Sequence, residues 1–214
     1  IMNFIYEHNE NVLDFNLDLQ IPINGIYLYK SNDGYNWNKI VLKPVLHRFV
    51  SNNEIRLGEV NFDTMPGLIK FKDRYLYYGR LNTSRQRREI YLTTSQDLIN
   101  WSEFSKIRIL NPISNWNMFS YYHLVPFMYK NELYGICPYF ETIDDPIKYK
   151  YKNCFHLILK ARSETEWIIQ KKFMVQLNLD CPYKDRITNV LVYKDKINLY
   201  FRENLKLWHQ KFYK

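Results

Sequence analysis

One phrase, present in two clear copies and a weaker third, constrains the fold of this chain more than any other feature. The copies read IYLYKSNDGYNW at 26–37, IYLTTSQDLINW at 90–101 and FHLILKARSETEW at 155–167. Each joins an alternating apolar stretch to turn residues and a tryptophan, and successive tryptophans lie 64 and 66 positions apart. Alternation with a period of two predicts β-strands, and a fixed spacing on this scale is typical of repeated β-sheets.

A second phrase lies between the copies of the first. It reads GLIKFKDRYLYYGR from Gly67, VPFMYKNELYGICPYF from Val125 and NVLVYKDKINLYFREN from Asn189. Apolar and aromatic stretches on both sides of a two-residue polar turn indicate an antiparallel hairpin. Two hairpins in each repeat make a four-stranded sheet, and a tandem series of such sheets predicts an all-β protein with the β-propeller fold.

Composition and length agree with one propeller domain over residues 1–214. The chain has a single alanine, Ala161, but 19 Tyr, 13 Phe and 5 Trp, so strand formers dominate. No linker rich in Pro, Ser or Gly divides it. The 214 residues hold little more than three repeats, whereas propellers need at least about four blades. We therefore expect four or five sheets closed by pairing of the terminal segments, or a partial ring taken from a longer protein.

Charge and special residues exclude several classes of function. The net charge is +8, but the basic residues are scattered, and we interpret the run Arg85, Arg87 and Arg88 as solvated surface. Without a reading motif, nucleic acid is not an expected partner. No apolar run is long enough for membrane insertion. The three Cys and five His lack the spacing of local metal sites, so we expect neither a metal nor a cofactor. Nothing in the sequence indicates a cellular compartment.

The turn in the first phrase has a local physical explanation. Asp33 can accept hydrogen bonds from backbone amides, Gly34 permits a positive φ, and Trp37 can fold back on the sheet. We therefore predict that Asp33 and its counterpart Asp97 stabilise the turns rather than take part in chemistry. The third copy has Ala161 and Ser163 at the serine and aspartate positions, which predicts a degenerate turn.

These motifs also resemble a known group of enzymes. A strand that ends in S-x-D-G-x-x-W, an F-D-x-x-P segment, a Y-Y-G-R strand and a further S-x-D-L-x-N-W resemble the five-bladed β-propeller glycoside hydrolases. These include arabinanases, xylosidases, invertases and levansucrases. The turn is also similar to the Asp box of sialidases, although that motif has one more residue between Asp and Trp. The resemblance extends from about residue 25 to residue 200 and implies the fold more specifically than the substrate.

The resemblance implies an active site in a central funnel, lined where each innermost strand begins. Three carboxylates act there in the family, because one group must protonate the leaving oxygen while another attacks the sugar or activates water. Asp63, in NFDTMPG, matches the position of one family aspartate and is our main catalytic candidate. Its alternative is a turn carboxylate before Pro66. Arg80, at the end of YYGR, resembles an arginine that reaches into the funnel, although a salt bridge at the sheet edge would also explain it.

The other expected carboxylates match less well. Where these hydrolases commonly carry the acidic Glu, this chain has Tyr122 and His123, which can bind sugar hydroxyls. Glu141, placed after a strand at 135–140, is the nearest substitute for the acid. Asp14 could be the nucleophile if its segment forms an innermost strand, although a solvent-facing strand residue is the alternative.

Two functions follow from these residues. Trp116 lies in a group of aromatic residues at 116–122 that can stack on sugar rings or pack in the core, and Arg202 in the third hairpin phrase is a further candidate for binding. The first hypothesis is a glycosidase that hydrolyses or transfers a glycosyl unit. The second is a module of the same shape that binds a glycan without catalysis, or that serves as a scaffold for other domains of the same polypeptide. The partner in either case is a glycan or small saccharide.

Overall fold

A computed structural model gives the fold as a series of antiparallel β-sheets. It describes residues 2–7, 15–16, 21–22, 25–47, 49–52, 55–60, 67–82, 88–112, 119–142, 151–173, 186–203 and 206–212. All regular secondary structure in these ranges is β-strand. Among them there is accordingly no helix with the length and apolar character needed to cross a membrane. The predicted all-β class is confirmed.

The first two sheets use the N-terminal half of the chain. The first six strands are β1 (Met2–Glu7), β2 (Phe15–Asn16), β3 (Ile21–Pro22), β4 (Gly25–Lys30), β5 (Asn38–Lys39) and β6 (Leu46–His47). Sheet 1 has the order β1-β4-β5, with β6 also paired to β4, whereas β2 and β3 pair as a separate hairpin. The next six are β7 (Phe49–Asn52), β8 (Ile55–Val60), β9 (Gly67–Phe71), β10 (Arg74–Asn82), β11 (Arg88–Ser95) and β12 (Ser105–Lys106). Sheet 2 has the order β12-β11-β10-β8-β7, with β9 also paired to β10.

The remaining strands form sheets 3 and 4. Those of sheet 3 are β13 (Arg108–Ile109), β14 (Phe119–Tyr121), β15 (Val125–Tyr129), β16 (Glu132–Thr142), β17 (Tyr151–Ala161) and β18 (Glu166–Phe173). Their order is β13-β18-β17-β16-β14, with β15 also paired to β16 and with β13 parallel to β18. Sheet 4 has the order β19-β20-β21 and consists of β19 (Arg186–Tyr193), β20 (Lys196–Glu203) and β21 (Lys206–Phe212).

The three hairpin phrases form the predicted hairpins β9-β10, β15-β16 and β19-β20. Lys130 and Asn131 both have positive φ, as do Lys194 and Asp195. Two adjacent residues with positive φ match the right-handed twist of the flanking strands, which is why a two-residue connection is sufficient. Each hairpin supplies the first and second strands of its sheet, and the strand before each tryptophan turn, such as β11 or β17, is the third.

Consecutive sheets pack face to face through apolar side chains. Ile26 and Leu46 of sheet 1 pack with Tyr77 of sheet 2. The largest cluster lies between sheets 2 and 3, and a further cluster lies between sheets 3 and 4, where Phe127 and Ile136 contact Ile187 and Leu199. Because each central sheet is buried on both faces by its neighbours in the chain, the arrangement is that of propeller blades.

The innermost strands β9, β15 and β19 begin at the same end of their sheets. A Cβ at Gly67, the first residue of β9, would collide with the carbonyl oxygen of Leu124, next to the start of β15. His123 in turn contacts the backbone of Ile187, near the start of β19. We call this end of the sheets the entrance end. The opposite end, where the two-residue hairpin turns lie, is the turn end.

The two outer sheets of the series are incomplete in the described residues. In sheet 1, β4 precedes a tryptophan turn and is a third strand, so β1 takes the second position and the innermost position has no described strand. In sheet 4 the outermost position has none. The expected closure by pairing of the terminal segments is not observed, because β1 pairs with β4 and β21 with β20, in separate sheets. The described blades form a partial ring.

Candidate functional site

A buried group of aromatic and basic side chains lies at the entrance end between sheets 2 and 3. The guanidinium carbon of Arg80 lies 4.3 Å from the centroid of the Tyr122 ring, and that of Arg88 lies 5.4 Å from the same centroid. Arg80 and Tyr122 are 3% and 7% exposed. The Tyr122 ring also meets Phe140 edge to face at 5.1 Å. A cation over an aromatic face is attracted by the ring quadrupole, and more strongly where water is excluded.

Strand register explains why both arginines reach one ring. Arg80 pairs with Ile90 and Asn82 with Arg88, so Arg80 and Arg88 are diagonal neighbours on one face of sheet 2. The buried Ser120 ties the two sheets together here, because its Oγ accepts a 3.3 Å hydrogen bond from the Arg88 backbone N–H. On the sheet 3 side, the Tyr122 N–H donates to the carbonyl of Pro138 at 2.9 Å.

His123 connects this group to sheet 4. Its Nε2 lies 2.9 Å from the Ile187 carbonyl oxygen, and since a carbonyl can only accept, Nε2 carries the proton. In the neutral ring Nδ1 is then the acceptor nitrogen. His123 is 3% exposed, so it is a fixed part of the entrance end rather than a mobile surface group.

Two further buried groups, His156 and Cys137, adjoin the site. Burial, together with the proximity of His123, lowers the pKa of His156 to about 3, so its ring is neutral at pH 7. The ring stacks on Phe173 with centroids 5.5 Å apart. Burial raises the pKa of the Cys137 thiol, which keeps it protonated and chemically inert.

Carboxylates of the described side chains are distributed unequally between the two ends. Among the side chains that the structure describes, one carboxylate belongs to the entrance half of a strand: Glu89, which is buried and 2.7 Å from Nζ of Lys106. The others lie in a turn of the turn end or within two residues of one: Asp33, Asp73, Asp97, Glu103, Glu132, Glu164, Glu166 and Asp195. The described part of the entrance group is therefore basic and aromatic.

The tryptophan turns at 31–37 and 95–101 have the same hydrogen bonds. In the second, Oδ1 of Asp97 accepts from the backbone N–H of Ile99 and Asn100 at 2.8 and 2.7 Å. Oδ2 accepts from the Asn100 side chain at 2.7 Å, and Trp101 Nε1 donates to the Leu98 carbonyl at 3.1 Å. These bonds lower the pKa of Asp97. The predicted role of the aspartates in stabilising the turns is confirmed.

The first turn repeats each of these bonds. Asp33 accepts from Tyr35 and Asn36, and Trp37 Nε1 donates to the Gly34 carbonyl. Gly34 has a φ of 83°, as predicted, and Leu98 takes the equivalent conformation at 67°. The left-handed conformation is therefore required by the turn even where the residue is not glycine.

The third turn is less degenerate than the sequence suggests. Ser163 Oγ accepts from the Glu166 backbone N–H at 3.1 Å, which replaces one of the aspartate bonds. Trp167 Nε1 still donates to the carbonyl of Glu164, at 3.2 Å. The same carbonyl also accepts from the Tyr78 hydroxyl of sheet 2 at 3.0 Å.

The structure brings three predicted site residues together: Arg80, Tyr122 and His123. The catalytic candidates Asp63 and Asp14 and the binding candidate Trp116 lie outside the described residues. Glu141 and Arg202 lie at the entrance end of β16 and β20 by register, but their side chains are not among those described.

One expectation about local structure is wrong. Glu141 does not follow its strand but lies within β16, paired with Phe119 and Asn153. The strand continues past its last apolar residue, Phe140, to Thr142. Phe15 and Asn16, directly after Asp14, pair with Pro22 and Ile21 in the separate hairpin β2-β3. The role of Asp14 stays a prediction.

Three residues of this group were not predicted from the sequence: Arg88, Ser120 and His156. Arg88 was part of a charge run interpreted as solvated surface, but it begins β11 and lies half-buried beside Tyr122. The alternation Arg88, Ile90, Leu92 was the available signal, since it puts Arg88 on the core face. Among the described residues no three His, Cys, Asp or Glu are grouped so that they could hold a metal ion.

Comparison with known proteins identifies the fold. No family model and no curated protein matches the chain. A family 117 glycoside hydrolase from Zobellia galactanivorans has a similar structure, with a TM-score of 0.61 and 14% identity over 88% of this chain and 52% of that one. An endo-arabinase from Bacteroides thetaiotaomicron gives a TM-score of 0.55 and 11% identity over 98% of this chain and 69% of that one.

An N-acetylgalactosamine deacetylase from F. plautii, solved in complex with blood group B trisaccharide, is also similar. The TM-score is 0.53 at 12% identity over 83% of this chain and 55% of that one. The chain thus spans about half the length of the family 117 hydrolase and of the deacetylase. At such identities the comparisons show the fold, which is that of β-propeller glycoside hydrolases, and confirm the resemblance noted from the repeated phrases at that level.

Proposed function

We propose that this chain is a carbohydrate-active propeller whose site lies at the entrance end. The observation that carries the proposal is the convergence of Arg80, Tyr122 and His123 where the innermost strands begin, next to backbone from sheets 2, 3 and 4. Aromatic faces and N–H donors are the groups that bind sugar rings and hydroxyls in concave sites. The glycosidase propellers that the fold resembles support the assignment of a glycan as ligand.

In the catalytic form of this proposal, Asp63 is one of the two carboxylates that act on the glycosidic bond. Both ends of the span that contains it are fixed on one edge of β10: Val60 pairs with Leu81, and Gly67 pairs with Tyr78. Arg80 lies on β10 between these two partners. Because only six residues separate these two paired positions, we expect Asp63 to lie near the group.

Hydrolysis or transfer requires a second carboxyl group across the scissile bond. One group protonates the leaving oxygen while the other attacks the sugar or activates water, and their separation of about 5 to 10 Å decides between retention and inversion. Glu141 is the preferred partner, because its backbone lies at the entrance end of β16, with Asp14 as the weaker candidate. Arg80, Tyr122 and His123 bind and orient the sugar, and Trp116 and Arg202 extend the site.

The alternative function is glycan binding without catalysis, and one observation favours it. At the position where an acid is expected, Tyr122 and His123 are both buried, and the Nε2 proton of His123 is held by the Ile187 carbonyl. A proton held in this way is poorly placed for transfer to a leaving oxygen. In this form residues 1–214 act as one propeller domain that recognises a saccharide or supports neighbouring domains. The tryptophan turns of this domain are divergent counterparts of Asp boxes.

A hydrolysis screen with aryl glycosides separates the two forms. Wild type is compared with Asp63→Asn and with Asp97→Asn, a matched control in which the changed aspartate belongs to the turn end. In the catalytic form, Asp63→Asn lowers kcat/KM by about 10³-fold or more, because the loss of an essential carboxylate removes a whole catalytic step, while Asp97→Asn retains activity at temperatures where it is folded.

Three outcomes decide the proposal. Activity that survives Asp63→Asn removes Asp63 from the mechanism. Absence of turnover, together with saturable binding of the same glycosides, supports the binding module. If the screen shows no turnover and no binding, a carbohydrate function of either form is contradicted.

A further inference from the structure

We propose that the turn end holds a second binding site, a cleft between sheets 2 and 3 that takes a small ligand carrying an oxyanion. The cleft has a volume of about 520 Å³, which is the size of a site for a small molecule. It lies at the opposite end of the sheets from the entrance group, so the inference does not depend on the proposed function. Every residue that lines the cleft is described together with its side chain.

Three turns form the walls of the cleft. The first wall is the turn of hairpin β9-β10, the second is the turn of hairpin β15-β16, and the third is the tryptophan turn at 161–165. Arg74 of the first wall bridges to Glu164 of the third, with Nη2 2.9 Å from Oε2. The Glu164 carbonyl also accepts a 3.0 Å hydrogen bond from the Tyr78 hydroxyl of sheet 2. The walls are therefore held together before a ligand binds, which lowers the entropic cost of binding.

Both carboxylates of the lining are already paired with cations. Glu164 is paired with Arg74, and Glu132 of the second wall lies 2.7 Å from Nζ of Lys160. A paired carboxylate attracts a further cation only weakly, because its charge is compensated nearby. The lining is therefore poorly suited to a cationic ligand.

The other two cations of the lining, Lys72 and Arg162, remain without a carboxylate partner in the described residues. Both side chains are exposed. Lys72 Nζ lies 5.2 Å from the centroid of the Phe71 ring on the first wall, and Arg162 belongs to the third wall. Asp73, the residue after Lys72, does not line the cleft. The uncompensated charge of the lining is thus positive, which favours an anion.

The third tryptophan turn adds backbone donors to the lining. In the first two turns, serine and aspartate side chains accept hydrogen bonds from the N–H groups of the two residues after the aspartate. The third turn has Ala161 and Ser163 at these positions, and the Ser163 hydroxyl accepts from Glu166 instead. The N–H groups of Glu164 and Thr165 donate to no protein atom in the described part of the chain. An oxyanion accepts from backbone N–H groups and from cationic side chains alike.

Matched pairs of sugars test the inference by isothermal titration calorimetry at low salt. Galacturonate is compared with its methyl ester, and galactose 6-phosphate with galactose, so that one member of each pair carries the oxyanion. We expect at least one charged sugar to bind about tenfold or more tightly than its neutral partner, the factor typical of a hydrogen bond to a charged group. The pair with the larger ratio shows whether a carboxylate or a phosphate fits the cleft better.

Two variants locate the binding in the cleft. Arg162→Gln removes an uncompensated cation, and Ser163→Asp adds a carboxylate to the lining, so each should abolish the preference for the charged sugar. Both changes lie at exposed turn positions, and urea titration verifies that the variants are folded. Lys171→Gln is the control, because Lys171 is an exposed cation of β18 that does not line the cleft. It should leave every affinity as in wild type.

Two results would overturn the inference. One is equal affinity for the charged and the neutral member of both pairs in wild type. The other is a preference for the charged sugar that persists in either folded cleft variant, because the anion would then bind elsewhere. The aryl glycoside screen reports on the entrance end, so the proposed function would stand in both cases.

Discussion

The turn end and the entrance end of the same sheets are built by different kinds of contact. At the turn end, each aspartate bond joins residues two or three positions apart, as between Asp97 and Ile99 or Asn100. At the entrance end, the contacts join residues far apart in sequence: Arg88 to Ser120 across 32 positions and His123 to Ile187 across 64. The aspartate turns are therefore specified by short segments, whereas the entrance group exists only after the blades have packed.

The polar groups of the two ends also differ in what they can do chemically. Asp33 and Asp97 accept several hydrogen bonds each, and their pKa values lie below the usual range. They are therefore ionised at neutral pH, with no proton to donate and little tendency to accept one. The entrance group combines cations and aromatic rings that are buried between sheets. Polar groups of this kind are costly to bury and are typical of sites that bind ligands.

The largest effect is expected where a turn residue also belongs to the core between blades. Trp167 is fully buried and meets Tyr78 of sheet 2 edge to face at 5.5 Å. Trp167→Ala should lower the free energy of unfolding by about 3 to 5 kcal/mol, the usual cost of truncating a large buried aromatic residue. Trp37→Ala, at a half-buried position of the first turn, should cost clearly less. If urea titration gives equal losses in the free energy of unfolding for the two variants, the distinction between a local turn and the core is wrong.

An intermediate effect is expected at the entrance end. Tyr122→Leu removes the ring that both arginines contact, and should cost about 2 kcal/mol, since desolvated cation–π contacts contribute that much. Tyr122→Phe keeps the ring and is the matched control, with a smaller loss in the same urea titration. If Leu and Phe have the same effect, the arginines are held by other contacts and the stack contributes nothing measurable.

The smallest effect concerns the exposed turn aspartates and appears as a pH dependence. Because the pKa of Asp97 is lower in the folded than in the unfolded chain, its contribution is complete above the unfolded pKa of about 3.9 and is lost as pH falls below it. Asp97→Asn should be less stable than wild type at pH 7, and the difference in melting temperature should shrink below about pH 4. A difference that stays constant down to pH 2 would show that the charge of Asp97 does not stabilise the turn.

The hairpins and tryptophan turns were predictable because the residues that set each conformation lie close together in the chain. The sequences Lys130-Asn131 and Lys194-Asp195 and the spacing from Asp97 to Trp101 each specify a conformation within a few residues. The error falls at a strand end, where local patterns mislead: the apolar residues stop at Phe140, but β16 continues in polar residues to Thr142.

By itself, the sequence determined the all-β class, the repeated hairpins, the turns with their aspartates and the resemblance to glycosidase propellers. Only the tertiary structure decided that Arg80, Arg88, Tyr122 and His123 form one group, that Arg88 is not simply surface, and that the terminal strands β1 and β21 join different sheets. The physical reason is the range of the contacts. Turn bonds form between neighbours in the chain and are encoded there, whereas packing between sheets depends on how the faces of distant strands meet, which no single segment specifies.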